Sequence, residues 1–162
     1  MTRPTADRVR QALFDTLLHA PWAGRACVEG AVVLDVFAGT GAMGLEALSR
    51  GAARAAFVEQ DRAALASLRA NIAACQAENR CAVLAMDVGR VPGGEAASLV
   101  FLDPPYGKGL VAAALARLRA VGRIAPGALV VAETGRDEPA LDVEALAERT
   151  HGAARVTVWR AE

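Results

Sequence analysis

The sequence predicts an α/β protein, a single domain built on a doubly wound, mainly parallel sheet. Three observations carry that expectation. Short apolar runs alternate with amphipathic helical segments, a glycine-rich turn follows the first complete run directly, and 162 residues at 54% hydrophobic and 22% charged fill one core with no room for a second. Alternation of this kind covers a sheet with helices and joins parallel neighbours through right-handed crossovers.

The chain opens with a helix, because Val9, Leu13, Phe14, Leu17 and Leu18 recur at helical spacing between Thr5 and His19. Thr5 or Asp7 supplies the N-cap and Pro21 lies beyond the end. Ala31 to Phe37 is an apolar run stopped by Ala38-Gly39-Thr40-Gly41, and Leu45 to Leu48 resumes a helical pattern up to Gly51, giving strand, turn and helix. The unit repeats as a strand from Ala55 to Val58, a helix from Arg62 to Ala77 and a strand from Ala82 to Ala85, followed by the Pro92-Gly93-Gly94 loop. A strand from Ser98 to Leu102 ends at Asp103; after Pro104-Pro105, Leu110 to Val121 is helical and Ala128 to Ala132 is a strand. Local propensity leaves the tail ambiguous, since Leu141 to Arg149 favours helix while Arg155 to Trp159 alternates like a half-buried strand.

Eighteen basic residues balance eighteen acidic ones, so no global positive field favours a polyanion and any nucleic-acid contact has to be local. Lys108 is the only lysine, a compositional bias with no chemical meaning. Cys27, Cys75 and Cys81 have no metal-ligand spacing and are odd in number, which fits a reducing cytoplasm and no metal site. Neither a signal-like start nor eighteen consecutive uncharged apolar residues is present, so neither secretion nor a membrane span is expected.

Asp35-Val36-Phe37-Ala38-Gly39-Thr40-Gly41-Ala42-Met43-Gly44 is the strongest local signal, placed where a strand gives way to a helix. Glycines there admit a ligand close to the backbone, and the helix start presents free N–H groups. An acid beside them disfavours a pyrophosphate and suits a cationic nucleotide such as S-adenosylmethionine; the bland alternative is a tight structural turn. Glu59 ends the second strand, where a carboxylate can accept both hydroxyls of a ribose, and Asp87 ends the third, where it can accept from an adenine amino group. As alternatives these are a solvated acid and an ordinary turn aspartate.

Asp103-Pro104-Pro105-Tyr106 follows the fourth strand on the same carboxyl edge. Two prolines withdraw two N–H donors, leaving carbonyls and a carboxylate as acceptors for an exocyclic amino group. Tyr106 offers a face on which a base can stack, against the alternative of a merely rigid turn. Arg3 and Arg8 could reach a cofactor carboxylate or an RNA phosphate, or simply flank a cap, and Lys108 could touch phosphate. His19 and His151 have no acid or nucleophile near them in sequence and read as structural; Trp22 and Trp159 read as packing.

These residues together resemble a known family, the bacterial 16S ribosomal RNA guanine-N2 methyltransferases of the RsmD type, within the Rossmann-like class I S-adenosylmethionine-dependent enzymes. Four blocks carry the resemblance: Arg3-Pro4-Thr5-Ala6-Asp7-Arg8-Val9-Arg10 with Leu13-Phe14, the stretch from Asp35 to Gly51, Phe57-Val58-Glu59, and Asp103-Pro104-Pro105-Tyr106. The last block alone is shared with adenine, cytosine and glutamine amino methyltransferases. The resemblance implies one domain over residues 1–162, an antiparallel hairpin near Glu144 to Thr150 and Ala154 to Arg160, and residues 1–20 closing over the cofactor.

It further implies S-adenosylmethionine against Thr5, Asp35, Phe37, Ala38, Gly39, Gly41, Glu59, Gln60, Asp87, Val88 and Asp103. Asp103 and Pro104 would hold the guanine amino group, Pro105 belongs to the same catalytic turn, Tyr106 would stack on the base, and Arg3, Arg8 and Lys108 would meet RNA. The implied partner is ribosomal RNA within a small-subunit particle, acted on by a cytoplasmic monomer without a metal. Relatives carry a basic, glycine-rich segment upstream of the Arg3-Pro4-Thr5 block, and the chain is expected to lack that RNA-gripping element. Alternatives are an amino methyltransferase for DNA or protein glutamine, and a non-catalytic cofactor-binding module. A nicotinamide dehydrogenase is disfavoured by Asp35.

Overall fold

The computed structural model describes residues 4–105 and 107–162, with side chains described from residue 7 onward. Seven strands, β1 (Val32–Val36), β2 (Arg54–Glu59), β3 (Cys81–Ala85), β4 (Ala97–Leu102), β5 (Ile124–Gly135), β6 (Ala147–His151) and β7 (Ala154–Arg160), form one sheet in the order β3-β2-β1-β4-β5-β7-β6. The first five are parallel to one another, and β7 runs antiparallel between β5 and β6. Helices α1 (Pro4–His19), α2 (Ala42–Ser49), α3 (Arg62–Ala74) and α4 (Leu110–Ala120) cover the two faces. The chain winds outward from β1 to β3 and then restarts at β4 on the other side of β1, so β1 and β4 flank the topological switch point where open α/β sheets hold ligands.

Side chains alternate between the faces along each strand, and both faces are buried, which explains why the strands read as continuous apolar runs. Val33, Phe57, Leu99, Phe101, Leu129 and Val131 pack with Phe14 and Leu17 of α1, Ala47 and Leu48 of α2, and Leu65, Leu68 and Ile72 of α3. The alternate residues Leu34, Val36, Val58, Val100, Leu102 and Val130 pack with Val111, Leu115 and Leu118 of α4. Trp159 is buried in this second cluster and Trp22 half-buried against the first, so both pack as expected.

Helix α1 is clamped over the first face. Phe14 is wholly buried with its ring centroid 5.7 Å from that of Phe101, and the Arg50 guanidinium lies 5.3 Å from the Phe14 centroid. Glu46 of α2 accepts from Arg10 at 3.5 Å and from Arg50 at 3.0 Å, tying the two helices together.

Of the boundaries that differ from the sequence expectation, three have a plain physical reason. The helix expected to reach Ala77 ends at Ala74, because Gln76 turns left-handed at φ 52° while Ala77 N–H donates to Ile72 O at 3.1 Å and Gln76 N–H to Ala73 O at 3.0 Å. That is a Schellman stop carried by a glutamine where glycine is usual, and it buries Ala77. Strand β5 is longer than Ala128 to Ala132 at both ends, because Ile124 pairs with Ala97 of β4 at its start and β7 pairs with it as far as Gly135 at its end. The tail is a hairpin as the resemblance implies, but β6 starts at Ala147, with Leu146 N–H adding one bond to Val158 O at 2.7 Å. Among the described residues no helix is long and apolar enough to cross a membrane.

Candidate active site

The loop between β1 and α2 is the centre of the site. Phe37 leaves β1 at φ 60°, a left-handed conformation that is costly for a bulky residue, and Gly39 follows at φ 58°. Ala38 N–H donates to Val58 O at 3.0 Å and Gly39 N–H to Glu59 Oε1 at 2.8 Å, so the loop is pinned to the end of β2. The other oxygen of Glu59 accepts from the backbone amides of Gln60 at 3.0 Å and Asp61 at 2.9 Å. Three amides therefore fix this carboxylate beside the glycine loop.

The glycines play different parts. A Cβ on Gly39 would meet nothing within 4 Å, so the space above it is open. A Cβ on Gly41 would lie 2.4 Å from Leu68 Cδ1 of α3, and one on Gly44 2.4 Å from Phe57 Cε1 of β2, so these two let the start of α2 pack against a helix and the sheet. Asp35, at the end of β1, is 3% exposed and accepts from Gly44 N–H at 2.9 Å. Burial pushes its carboxyl up to about 7; the Gly44 amide opposes the rise and the charge of Glu59 adds to it.

Asp103 follows β4 and donates its backbone N–H to Val36 O at 3.4 Å, which sets it beside the end of β1. Register pairs Leu102 with Ala132, so Asp103 and Glu133 are the next residues on adjacent strands. Their carboxyl groups hydrogen-bond to one another. Although Asp103 faces the open cleft, its carboxyl is enclosed enough by protein that burial is the chief cause of its rise to about 8, followed by the hydrogen bond to Glu133 and the charges of Glu133 and Asp35.

These groups line one cleft of about 790 Å³, roofed by Val9, Arg10 and Leu13 of α1 and reached by His151 and Gly152 in the turn between β6 and β7. Of the residues singled out in the sequence, Asp35, Phe37, Ala38, Gly39 and Asp103 line it. Gly41 caps α2, Glu59 backs Gly39, Gln60 is exposed, and Asp87 caps the short turn at Val88–Arg90, accepting from Gly89 N–H at 3.1 Å. Pro104 is buried, whereas Pro105, Lys108 and Arg8 are exposed. Arg3, the Thr5 side chain and Tyr106 lie outside the described residues.

Sequence reasoning missed Glu133, Arg10 and His151. Glu133 sits just past the apolar run of β5, as Glu59 and Asp103 do past theirs, so the same strand-end acid signal marks it; the continued pairing of Glu133 with Val156 hides it inside a strand. His151, read as structural, lies on the cleft. A smaller hollow of about 300 Å³ lies across the amino ends of the strands, and there Arg54 is bound to Glu95 and Arg123 Nε donates to Pro92 O at 3.0 Å. Among the described residues no group of three His, Cys, Asp or Glu is placed to hold a metal ion.

Residues 1–160 match the family described as Conserved hypothetical protein 95. Ribosomal RNA small subunit methyltransferase D of Escherichia coli strain K12 is 41% identical over 133 residues, 82% of this chain and 64% of that protein, so the chain spans less than two thirds of that relative's length. The protein of the same name from Haemophilus influenzae is 33% identical over 158 residues, 93% of this chain and 78% of its own. A solved conserved hypothetical protein of Streptococcus pyogenes has a TM-score of 0.78 at 34% identity, covering 94% of this chain and 95% of that one.

Proposed function

The chain belongs to the Conserved hypothetical protein 95 family, and we propose that it transfers a methyl group from S-adenosylmethionine to the exocyclic N2 amino group of a guanine in small-subunit ribosomal RNA. The observation that carries this reading is one cleft in which the glycine loop with Asp35 meets Asp103 across the β1/β4 switch point. The names of the Escherichia coli and Haemophilus influenzae relatives support the RNA substrate. In this reading the protein works as a monomer, without a metal, on a small-subunit particle.

The residues present fit the cofactor. Asp35 is a buried carboxyl to which a neighbouring cation would restore full charge, and Gly39 leaves open space beside the Glu59 carboxylate, which would take the ribose hydroxyls. Bound there, S-adenosylmethionine supplies a methyl group on a positively charged sulfur. Asp103 and the Pro104 carbonyl accept hydrogen bonds from the target amino group, and neither proline offers an N–H that would compete. With both partners held in line, alignment contributes more than a strong base. Tyr106 supplies the stacking face.

The test is to incubate the chain with tritium-labelled S-adenosylmethionine and small ribosomal subunits lacking the modification, alongside Asp103→Ala, and digest the RNA to nucleosides. Label in N2-methylguanosine, reduced at least about a hundredfold in the variant, is the expected result. Label in another nucleoside, or in competing DNA or protein, would overturn the substrate; activity surviving Asp103→Ala would overturn the mechanism.

A further inference from the structure

We propose that Asp103 and Glu133 act as one unit holding a single proton between them, and that Glu133 is the positioning residue that decides when Asp103 can take the proton leaving the target amino nitrogen. This rests on the methyltransferase reading above. The geometry is direct: adjacent parallel strands in register at Leu102 and Ala132 place the two acids side by side, their carboxyl groups hydrogen-bond, and both line the cleft. Two carboxylates cannot form a hydrogen bond without a proton, so one of the pair carries it. The same proximity makes the second ionisation of the pair unfavourable, as in other carboxyl pairs that share a site.

The step balances without another reactant. The lone pair of the amino nitrogen forms the bond to the methyl carbon, and the methyl–sulfur bond breaks with its electrons left on sulfur. The nitrogen then carries one proton too many. The pair, once its shared proton has left for water, accepts this extra one through Asp103, returns to a single negative charge, and passes the proton on to water. Glu133 touches neither the nitrogen nor the methyl; by sharing the proton with Asp103 it sets when an Asp103 oxygen is free to accept.

Among the described residues, the other charged and titratable groups that line the cleft with the pair are Asp35 from β1, Arg10 from α1 and His151 from the β6–β7 turn. Arg10 is already bound to Asp7 at 2.8 Å and Glu46 at 3.5 Å, and Asp35 to the Gly44 amide at 2.9 Å. Neither supplies the pair's proton. The contribution of His151 is separated with His151→Gln.

The test uses the full chain with carboxyl-¹³C aspartate, the Asp103 signal being the one missing in Asp103→Asn. In wild type it titrates well above the ordinary carboxylate range. In Glu133→Gln, which keeps the shape and removes the charge, its midpoint falls by about one pH unit or more. The pH at which kcat reaches half its plateau falls with it, KM for the RNA particle stays within about twofold, and His151→Gln leaves the midpoint in place. An unmoved Asp103 midpoint, or a midpoint that moves while the kcat profile does not, overturns the proposal. If the midpoint moves but wild type methylates no RNA, the shared proton stands and the methyltransferase reading falls.

Discussion

Gly44→Ala isolates the packing that shapes the site. Gly44 lies inside α2 and has no left-handed backbone, so the substitution adds a Cβ without strain in φ. That Cβ would lie 2.4 Å from Phe57 Cε1, 2.8 Å from Cζ and 3.3 Å from Asp35 Oδ2. Ordinary carbon contacts are about 3.5–4.0 Å, so the ring or the helix has to move by roughly 1 Å. Phe57 has nowhere to go: it is wholly buried, and its Cε1 is already close to the position a Gly41 Cβ would take, at 3.3 Å. Overpacking of this kind costs about 1–3 kcal/mol, and helix propensity returns about 1 kcal/mol for Gly→Ala. Moving the helix also lengthens the Gly44–Asp35 hydrogen bond and leaves a buried acid less satisfied, about 1 kcal/mol more. The net loss is about 2 kcal/mol, or roughly 4–8 °C in Tm for a chain of this size. Thermal unfolding followed by circular dichroism reads it. A Gly44→Ala variant that melts at or above the wild-type temperature would show that Phe57 and α2 are not locked together as described.

Asp35 holds its proton up to about 7 when folded and releases it near 4 when unfolded, so the folded state binds more protons between those values. Stability from this group therefore falls as pH rises from about 4 to about 7, by a few kcal/mol at most; urea unfolding at pH 5 and pH 8 should show a smaller loss in Asp35→Asn, whose side-chain oxygen still accepts from Gly44, and an unchanged difference would refute the assignment. Gln76→Gly relieves the left-handed residue that ends α3 and should raise stability by about 1 kcal/mol, whereas a loss in urea unfolding would mean that the glutamine side chain contributes more than its backbone costs.

How much of this was legible follows from how local each signal is. The β1 turn, the acids at the ends of β2 and β4, and the Asp103-Pro104-Pro105 block were readable because strand, turn chemistry and acid lie within a few consecutive residues. The α3 stop was misread by three residues because Gln76 does what glycine usually does, and no local rule marks it. The tail resisted propensity because its strands are defined by partners: β7 is fixed by seven register pairs with β5, and β6 exists only against β7, with four of its five residues exposed. Such an edge strand carries little apolar pattern. His151 was hidden for a related reason, since it reaches the cleft through a pairing between segments far apart in sequence, while Glu133 carries the strand-end acid signal but is masked by its pairing with Val156.

The charge pattern of the cleft limits what can enter it. Asp35, Asp103 and Glu133 face the same space, and the one arginine that lines it among the described residues is already bound to two acids, Asp7 and Glu46. A phosphate placed there would meet carboxylates with no free arginine or lysine among the described residues to offset them, at an effective dielectric well below that of water. A cation and a neutral group rich in N–H donors meet the opposite situation, because each supplies what a carboxyl lacks. On the proposed reading this sorts the substrate by part: the sulfonium and the guanine edge enter, and the phosphate backbone stays outside. Since the chain as a whole carries no net positive charge, RNA affinity then has to come from contacts outside the cleft, and substitutions at Asp103 or Glu133 should change turnover far more than they change RNA binding.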